Sequence, residues 1–409
     1  MVSYFAIVQI RQRVGGTDMR VAYCGAELHL GNGESYIGTL ITENERIAAV
    51  YQGEISDEDK ITVDKIICLD GKTIIPGLID IHTHGRAGYD FTSATKEQMR
   101  SMARSYLESG VTTLMPTLAS APFSMLCDCS DRIREISDEN DTHFSRFAGI
   151  HLEGRYLNPE KSGAHTTELL AEPNVSELSE LIPHLGDRFH ISFAPECDTD
   201  GSFLKRIVSA GGTAGVAHTT AAYKEAMSAL KNGAISFTHT YNAMPVLHHR
   251  EGGAVAAALL SDAYAELIVD GIHISPEMVN LTYRCKGNEK LVLVTDSMEG
   301  AGCNDGTYSI AGKTCIVKDG IALTEDGHLA GSTLSLLDDL FNLMRFCGIT
   351  LDEALPTATR NPARMIRIDD EVGTIEASKY ADLLILEPKD ENLRLLSIIF
   401  RGSIVPSNK

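Results

Sequence analysis

The chain has 409 residues, 43% hydrophobic and 22% charged, the make-up of a folded globular protein with room for one large barrel or two to three ordinary domains. Its formal net charge of −20 argues against nucleic acid or an anionic membrane surface as partner, and any anionic small substrate would need a local basic pocket. Nine cysteines, an odd number without framework spacing, point to reduced thiols in the cytoplasm, and no apolar run approaches the roughly 20 residues that span a bilayer.

The first 20 residues, opening MVSYFAIVQIRQR, carry a short apolar patch without a basic leader or a small-residue cleavage site. They read as an N-terminal extension rather than a signal peptide, with Met19 available as an internal start. Residues 21–75 read as short strands separated by turns: VAYCGAELHL, a GNGES turn, YIGTLI, RIAAVYQG and ITVDKIICLD. Beyond Thr73 the texture changes to apolar strands alternating with amphipathic helices. The strands are GLIDIHTH, VTTLMPTLA, FAGIHLEG, HISFAPE, GTAGVAHT, AISFTHTYN, ELIVDGIHI and LVLVTDSM. Helical patterns such as KEQMRSMARSYLESG, AAYKEAMSALKNG and SPEMVNLTYRCKG lie between them and end in Gly, a helix-stop signal. Eight such units spell an α/β fold, a (β/α)8 TIM-like barrel over 76–364. The last barrel helices are STLSLLDDLFNLMRFC and TLDEALPTATRNPARMI. Segments 21–75 and 365–409 then bracket the barrel and pair as a small β-sandwich domain.

In such a barrel the chemistry sits at the C-terminal strand ends. Those ends carry His82 and His84 on strand 1, Glu153 on strand 3, Glu196 on strand 4, His218 on strand 5, His239 on strand 6, His273 on strand 7 and Asp296 on strand 8. A lone histidine is more often a hydrogen-bonded core or surface group than a ligand, and His29, His143, His184, His190 and His328 take that reading. His151 shares a strand face with Glu153 and reads as a group behind the site, while Glu196 reads as a loop-capping carboxylate. For His82, His84, Glu153, His218, His239 and Asp296 together, coincidence is a poor explanation. Imidazoles with a carboxylate suit a divalent zinc, iron, cobalt or manganese ion, and an adjacent acid can shuttle a proton. That combination implies hydrolysis.

The motifs PGLIDIHTHG, GIHLEGRYLNPEKSGAH, GVAHT, THTYNAMP, HHREGG, VDGIHI, LVTDSM, LAGSTLSL and NPARMI, in this order, resemble the amidohydrolase superfamily and, within it, the N-acetylglucosamine-6-phosphate deacetylase family. The resemblance runs from about Val21 to Pro388. It implies Glu153, His218 and His239 as ligands of a principal metal, and His82 and His84 on the motif that holds a second ion in some members. One or two ions per subunit are therefore expected, two being favoured. Asp296 matches the catalytic acid–base, and His165 a residue that polarises the acetamide oxygen. Ala164, Asn242, Ala243, Arg250, His273 and the backbone of Leu329, Ala330 and Gly331 match substrate contacts, the sugar phosphate falling to Asn242, Ala243, Arg250 and His273. From the residues alone, Arg250 is only a solvated charge in the run His248-His249-Arg250-Glu251.

Three departures from the family pattern stand out: Arg155 where Pro usually follows HLEG, Ser297 where Ala is commoner, and HREGG without its usual Pro. The resemblance further implies a phosphosugar substrate and a homodimer in which the HHR loop reaches toward the partner's site. Other hydrolases of the fold remain open, namely an N-acetylgalactosamine-6-phosphate deacetylase or a cyclic-amide hydrolase.

Overall fold

The structure is a computed structural model that describes residues 6–10, 19–389 and 392–406. Eight parallel strands form the barrel: Leu78–Thr83, Val111–Leu118, Ile150–Glu153, Phe189–Phe193, Thr213–Val216, Ser236–Phe237, Tyr264–Leu267 and Leu291–Leu293. Each pairs in parallel with the next. Every residue of the first five is buried, as expected for strands covered by helices on one side and a filled interior on the other. The ring closes between its first and last strands. Thr83 bridges Ser297, Asp296 N–H donates to His82 C=O at 2.9 Å, and Thr295 Oγ1 donates to the buried Asp80 carboxylate at 2.6 Å.

The helices start and stop where their sequences say. Lys96–Glu108 opens with a reciprocal Thr95–Gln98 capping box and buries Met99, Met102, Ala103, Tyr106 and Leu107, a single stripe at helical spacing. Leu336–Cys347 is capped by the Ser335 side chain and ends on Gly348 in the left-handed conformation. The helix Phe123–Asp138 buries both Cys127 and Cys129.

A second, nine-stranded sheet gathers strands from both ends of the chain. Its centre is Arg20–His29, which pairs antiparallel with Ser35–Glu43 and in parallel with Lys65–Cys68 and Thr73–Pro76. Leu383–Lys389 then joins Thr73–Pro76, and Asn392–Phe400 continues the sheet. Tyr23, Leu28, Leu40, Ile74, Leu383 and Ile399 share one core, so the two halves of this continuous sheet face each other as the expected small sandwich does.

Three features differ from the sequence reading. Ala6–Ile10, within the segment read as an extension, adds an edge strand antiparallel to Lys65–Cys68, while residues 1–5 and 11–18 lie outside the described residues. A three-stranded antiparallel sheet, Gly306–Ile310, Lys313–Lys318 and Ile321–Thr324, follows the eighth barrel strand; the alternation KTCIVK and the turns AGK and KDG are its sequence signature. The sixth strand is only two residues long, because His239 (φ 30°) and Tyr241 (φ 82°) turn the backbone left-handed and end the ladder early.

Candidate active site

Glu153 ends the third strand and organises the mouth of the barrel. Gly154 follows it at φ 153°, where an added Cβ would lie 2.4 Å from Ser120 N, so only glycine lets the third strand end this close to the second. Around the buried Glu153 carboxylate the imidazoles divide by oxygen. Oε1 faces His239 Nε2 at 2.7 Å and His218 Nε2 at 3.1 Å; Oε2 faces His84 Nε2 at 2.8 Å and His82 and His165 Nε2 at 3.4 Å. Asp296 Oδ1 completes the ring, 3.4 Å from His82 Nε2 and 3.3 Å from His84 Nε2. His218 (φ 41°), His239 (φ 30°) and Asp296 (φ 47°) all sit just past their strands in left-handed backbone, a conformation costly for non-glycine residues and concentrated at functional sites.

The electrostatics follow from this crowding. Burial alone would raise the Glu153 carboxyl, but His82, His165, His218 and His239 outweigh it and hold the group well below the usual carboxylate range. Burial likewise opposes ionisation of Asp296, yet His82 and His84 bring it down to about 2. His84 is raised to about 9 against its own burial, by Asp296 and Glu153. His165 behaves oppositely: burial dominates and pushes it down to about 4, so it is neutral.

The donor set fits a divalent metal. Two pairs of imidazole nitrogens face each other at close range, His82 with His84 at 3.3 Å and His218 with His239 at 3.0 Å, beside carboxylate oxygens. Neutral imidazoles cannot satisfy such a contact with one another and a carboxylate together; a cation between them does. Two candidate ligand groups overlap on Glu153, namely His82, His84, Glu153 and Asp296, and Glu153, His165 and His218, with the atoms of each within 4.8 Å. Behind them His151 donates or accepts at Ser192 Oγ (2.8 Å) and lies against the His82 ring, and Glu266 Oε2 stands 3.6 Å from His82 Nδ1, a carboxylate placed to orient it.

A model of the amidohydrolase family matches residues 73–405. The chain belongs to the amidohydrolase family. It is 33% identical over 365 residues to the N-acetylglucosamine-6-phosphate deacetylase of Haemophilus influenzae, covering 87% of this chain and 93% of that one. It is 32% identical over 337 residues to the N-acetylgalactosamine-6-phosphate deacetylase of Escherichia coli O157:H7, covering 82% and 88%. Among solved structures, an N-acetylglucosamine-6-phosphate deacetylase variant from Mycobacterium smegmatis in complex with N-acetyl-D-glucosamine-6-phosphate superposes with a TM-score of 0.87 at 27% identity, covering 96% of this chain and all 100% of that one.

The remaining candidates of this amidohydrolase fall into two sets. Close to the cluster, Gly331 (φ 67°) packs its backbone where a Cβ would lie 2.8 Å from Asp296 C=O, and Ser332 N–H donates to that same carbonyl at 2.8 Å. Leu329 and Ala330 therefore run beside the eighth strand end, with Ala330 in one apolar cluster with Met298 and with Ile310 and Val317 of the inserted sheet, and Ala164 packed against that cluster. Asn242 donates to His239 C=O at 3.1 Å, and Ala243 C=O accepts from Thr219 N–H at 3.1 Å. His273 Nδ1 is held by Asp270 Oδ2 at 2.7 Å, in the segment that follows the seventh strand. Apart from the cluster, Arg250 is exposed, and among the described residues its guanidinium reaches the neighbouring His249 Nε2 at 2.9 Å.

The departures from the family pattern acquire reasons. Arg155 sits at φ 68°, which proline cannot adopt, and its side chain is committed to a bidentate pair with Glu177 at 2.6 and 2.8 Å. The Ser297 hydroxyl joins a buried network with Thr83 Oγ1 (2.8 Å), Tyr106 Oη (2.7 Å) and Gly85 C=O (3.0 Å), anchoring the loop beside His84. Glu196 is used in the loop, accepting from Asn158, Thr219 and Thr220. Missed in the sequence were Asp80, Glu266 and Ser120. Ser120 had one available signal, its place two residues past the end of the second strand.

Proposed function

We propose that this amidohydrolase is a divalent-metal-dependent deacetylase that hydrolyses N-acetyl-D-glucosamine 6-phosphate to D-glucosamine 6-phosphate and acetate. The observation that carries the reading is the Glu153 carboxylate with an imidazole group on each oxygen and Asp296 beside it, in a chain whose curated relatives at 31–33% identity are deacetylases of phosphorylated amino sugars. Glu153, His218 and His239 would hold the principal ion, and His82 and His84 a second one shared through Glu153. When bound, such an ion supplies Lewis acidity toward a carbonyl oxygen and acidifies water near neutral pH.

The chain's own residues then divide the work. Asp296, ionised down to about pH 2, takes the proton of the attacking water and returns it to the leaving amine. His165 donates a hydrogen bond to the acetamide oxygen as charge develops there. Asn242, Ala243, His273 and Arg250 hold the 6-phosphate, and Ala164 with Leu329, Ala330 and Gly331 lines the sugar. The enzyme acts as a cytoplasmic homodimer. That reading is supported by nine free cysteines and by Val246 and Leu247, 85% and 40% exposed, next to Arg250, whose guanidinium meets His249.

Acetate release from the 6-phosphates of N-acetylglucosamine and N-acetylgalactosamine, with unphosphorylated N-acetylglucosamine as control, is the direct test. The expected order is glucosamine epimer first and unphosphorylated sugar last; the reverse preference between epimers would support the second reading that the 32%-identical relative favours. Asp296→Asn should retain metal and lose kcat by about 10³-fold. Full activity in that variant would remove Asp296 from the mechanism.

A further inference from the structure

The second barrel strand is the one strand whose end brought no candidate from the sequence, and it delivers Ser120 to the site. Ser120 is buried, and both of its polar groups face one atom: Oγ lies 3.1 Å and the backbone N 3.4 Å from His165 Nδ1. These two contacts have unequal freedom. The hydroxyl could donate or accept, but an amide N–H only donates. The hydroxyl oxygen also accepts the Arg155 N–H at 3.1 Å, which occupies one of its two lone pairs and leaves its proton free to point at His165. A proton on Nδ1 would therefore meet the amide proton of Ser120 head-on, and Nδ1 must be the lone-pair nitrogen. The approach that makes this possible is the glycine at 154, where a Cβ would lie only 2.4 Å from Ser120 N.

We propose that Ser120 is a positioning residue that holds His165 as the Nε2–H tautomer, so that it serves as a hydrogen-bond donor to the scissile carbonyl and is kept off the metal. A ligating imidazole needs a lone pair at the nitrogen that faces the ion, and His165 turns its Nε2 toward Glu153 Oε2 at 3.4 Å. Although His165 lies within ligand distance of Glu153 and His218, its proton takes it out of the ligand set. The catalytic half of this inference rests on the reading of His165 as the donor to the acetamide oxygen; the tautomer itself does not.

The experiment has two arms. In the first, zinc-loaded protein labelled with ¹⁵N-histidine is examined by NMR, with the His165 signals assigned from His165→Asn. A pyridine-type shift at Nδ1 and a pyrrole-type shift at Nε2 are expected in the parent; Ser120→Ala keeps the backbone N–H and loses only the hydroxyl, so it should hold this tautomer less purely and show a minor Nδ1–H form. A pyrrole-type Nδ1 in the parent overturns the proposal, and a spectrum of Ser120→Ala identical to the parent's overturns the part assigned to the hydroxyl. In the second arm kcat of Ser120→Ala should fall about 10- to 100-fold, short of the loss from deleting an oxyanion donor outright, with KM changed less than about twofold. Ser120→Thr, which keeps the hydroxyl, should recover most of it. The deficit should shrink on the N-trifluoroacetyl analogue, whose carbonyl needs less polarisation; an equal deficit on both substrates means a merely structural role and overturns the catalytic half. If His165→Asn keeps full kcat, the donor reading of His165 fails and the catalytic half falls with it, while the NMR arm still decides the tautomer.

Discussion

The two loops proposed to carry the substrate contacts are built in opposite ways. The loop after the third strand, Arg155 to Ala171, is tied at both ends and along its length. Ala171 N–H donates to Arg155 C=O, Asn158 N–H to His218 C=O, Thr166 Oγ1 to Ala311 C=O, and His165 is held by Ser120. The loop after the sixth strand, residues 245–251, instead leaves Val246, Leu247, His248, His249 and Arg250 exposed, and its polar contacts are among its own residues, Arg250 with His249 and His248 with Glu251. The amide-cleaving groups are thus pre-set within one chain, whereas the cation expected to meet the phosphate is not. Preorganisation belongs where charge develops in the transition state; a phosphate anchor used equally in ground and transition states can come from a more loosely held element.

The largest effect should come from the centre of the fixed half. Glu153→Gln keeps the shape but removes the charge that each imidazole group faces. Activity should drop by about 10³-fold or more, beyond the 10- to 100-fold typical of changes around metal ligands, and metal content measured on the purified protein should fall with it. Retained metal and activity would show that the cluster is not organised by this carboxylate. His82→Ala should leave at most one ion per subunit, against two in the parent.

The exposed half has an intermediate effect and a different signature. Arg250→Ala should raise KM for the 6-phosphate roughly 10- to 100-fold, the worth of a charge-assisted hydrogen bond of about 1.5–3 kcal/mol, and leave the unphosphorylated sugar unaffected. If the arginine serves the neighbouring site of a dimer, mixing Arg250→Ala with Asp296→Asn subunits restores one complete site per mixed dimer and part of the activity. If it serves its own chain, mixing restores nothing. Val246→Asp should give a monomer by sedimentation, with the same KM defect as Arg250→Ala.

The sequence made the fixed half readable and the rest much less so, for physical reasons. His82, His84, Glu153, His218, His239 and Asp296 are conspicuous because a barrel strand end is an address and their side chains have metal-ligand chemistry. Ser120 occupies the same kind of address, but a serine there is ordinary until the direction of its amide N–H toward a histidine 45 residues away is known. Arg155 stood out only as a departure from the family's usual Pro, because its partner, Glu177, lies 22 residues further on in a later helix. The short sixth strand was unreadable for a related reason: left-handed backbone at His239 and Tyr241 costs energy locally and is chosen by the site, not by local propensity.

The smallest effect separates the two loops most cleanly. The Arg155–Glu177 pair is bidentate, and Tyr156 Oη adds a third bond to the carboxylate at 2.9 Å, with the side chains 17% and 22% exposed. Hydrogen bonds from Arg155, with Tyr156 adding to them against the cost of burial, hold the Glu177 carboxyl below its ordinary value of 4.5. A depressed carboxylate contributes stability that is present above the unfolded value and is lost as pH falls through the folded one. Discounted for its partial exposure, the pair should be worth about 1 kcal/mol at pH 7. Arg155→Ala and Glu177→Gln should each lower the unfolding free energy measured in urea by that amount, non-additively in the double variant, and the gap to the parent should close as pH drops below 4.5. Because the pair ties down the loop that carries His165, kcat should also fall by a few-fold, while Arg250→Ala leaves the urea midpoint where it was. A stability loss from Arg250→Ala equal to that from Arg155→Ala would mean that both loops are equally part of the folded frame, and the contrast drawn between them would fail.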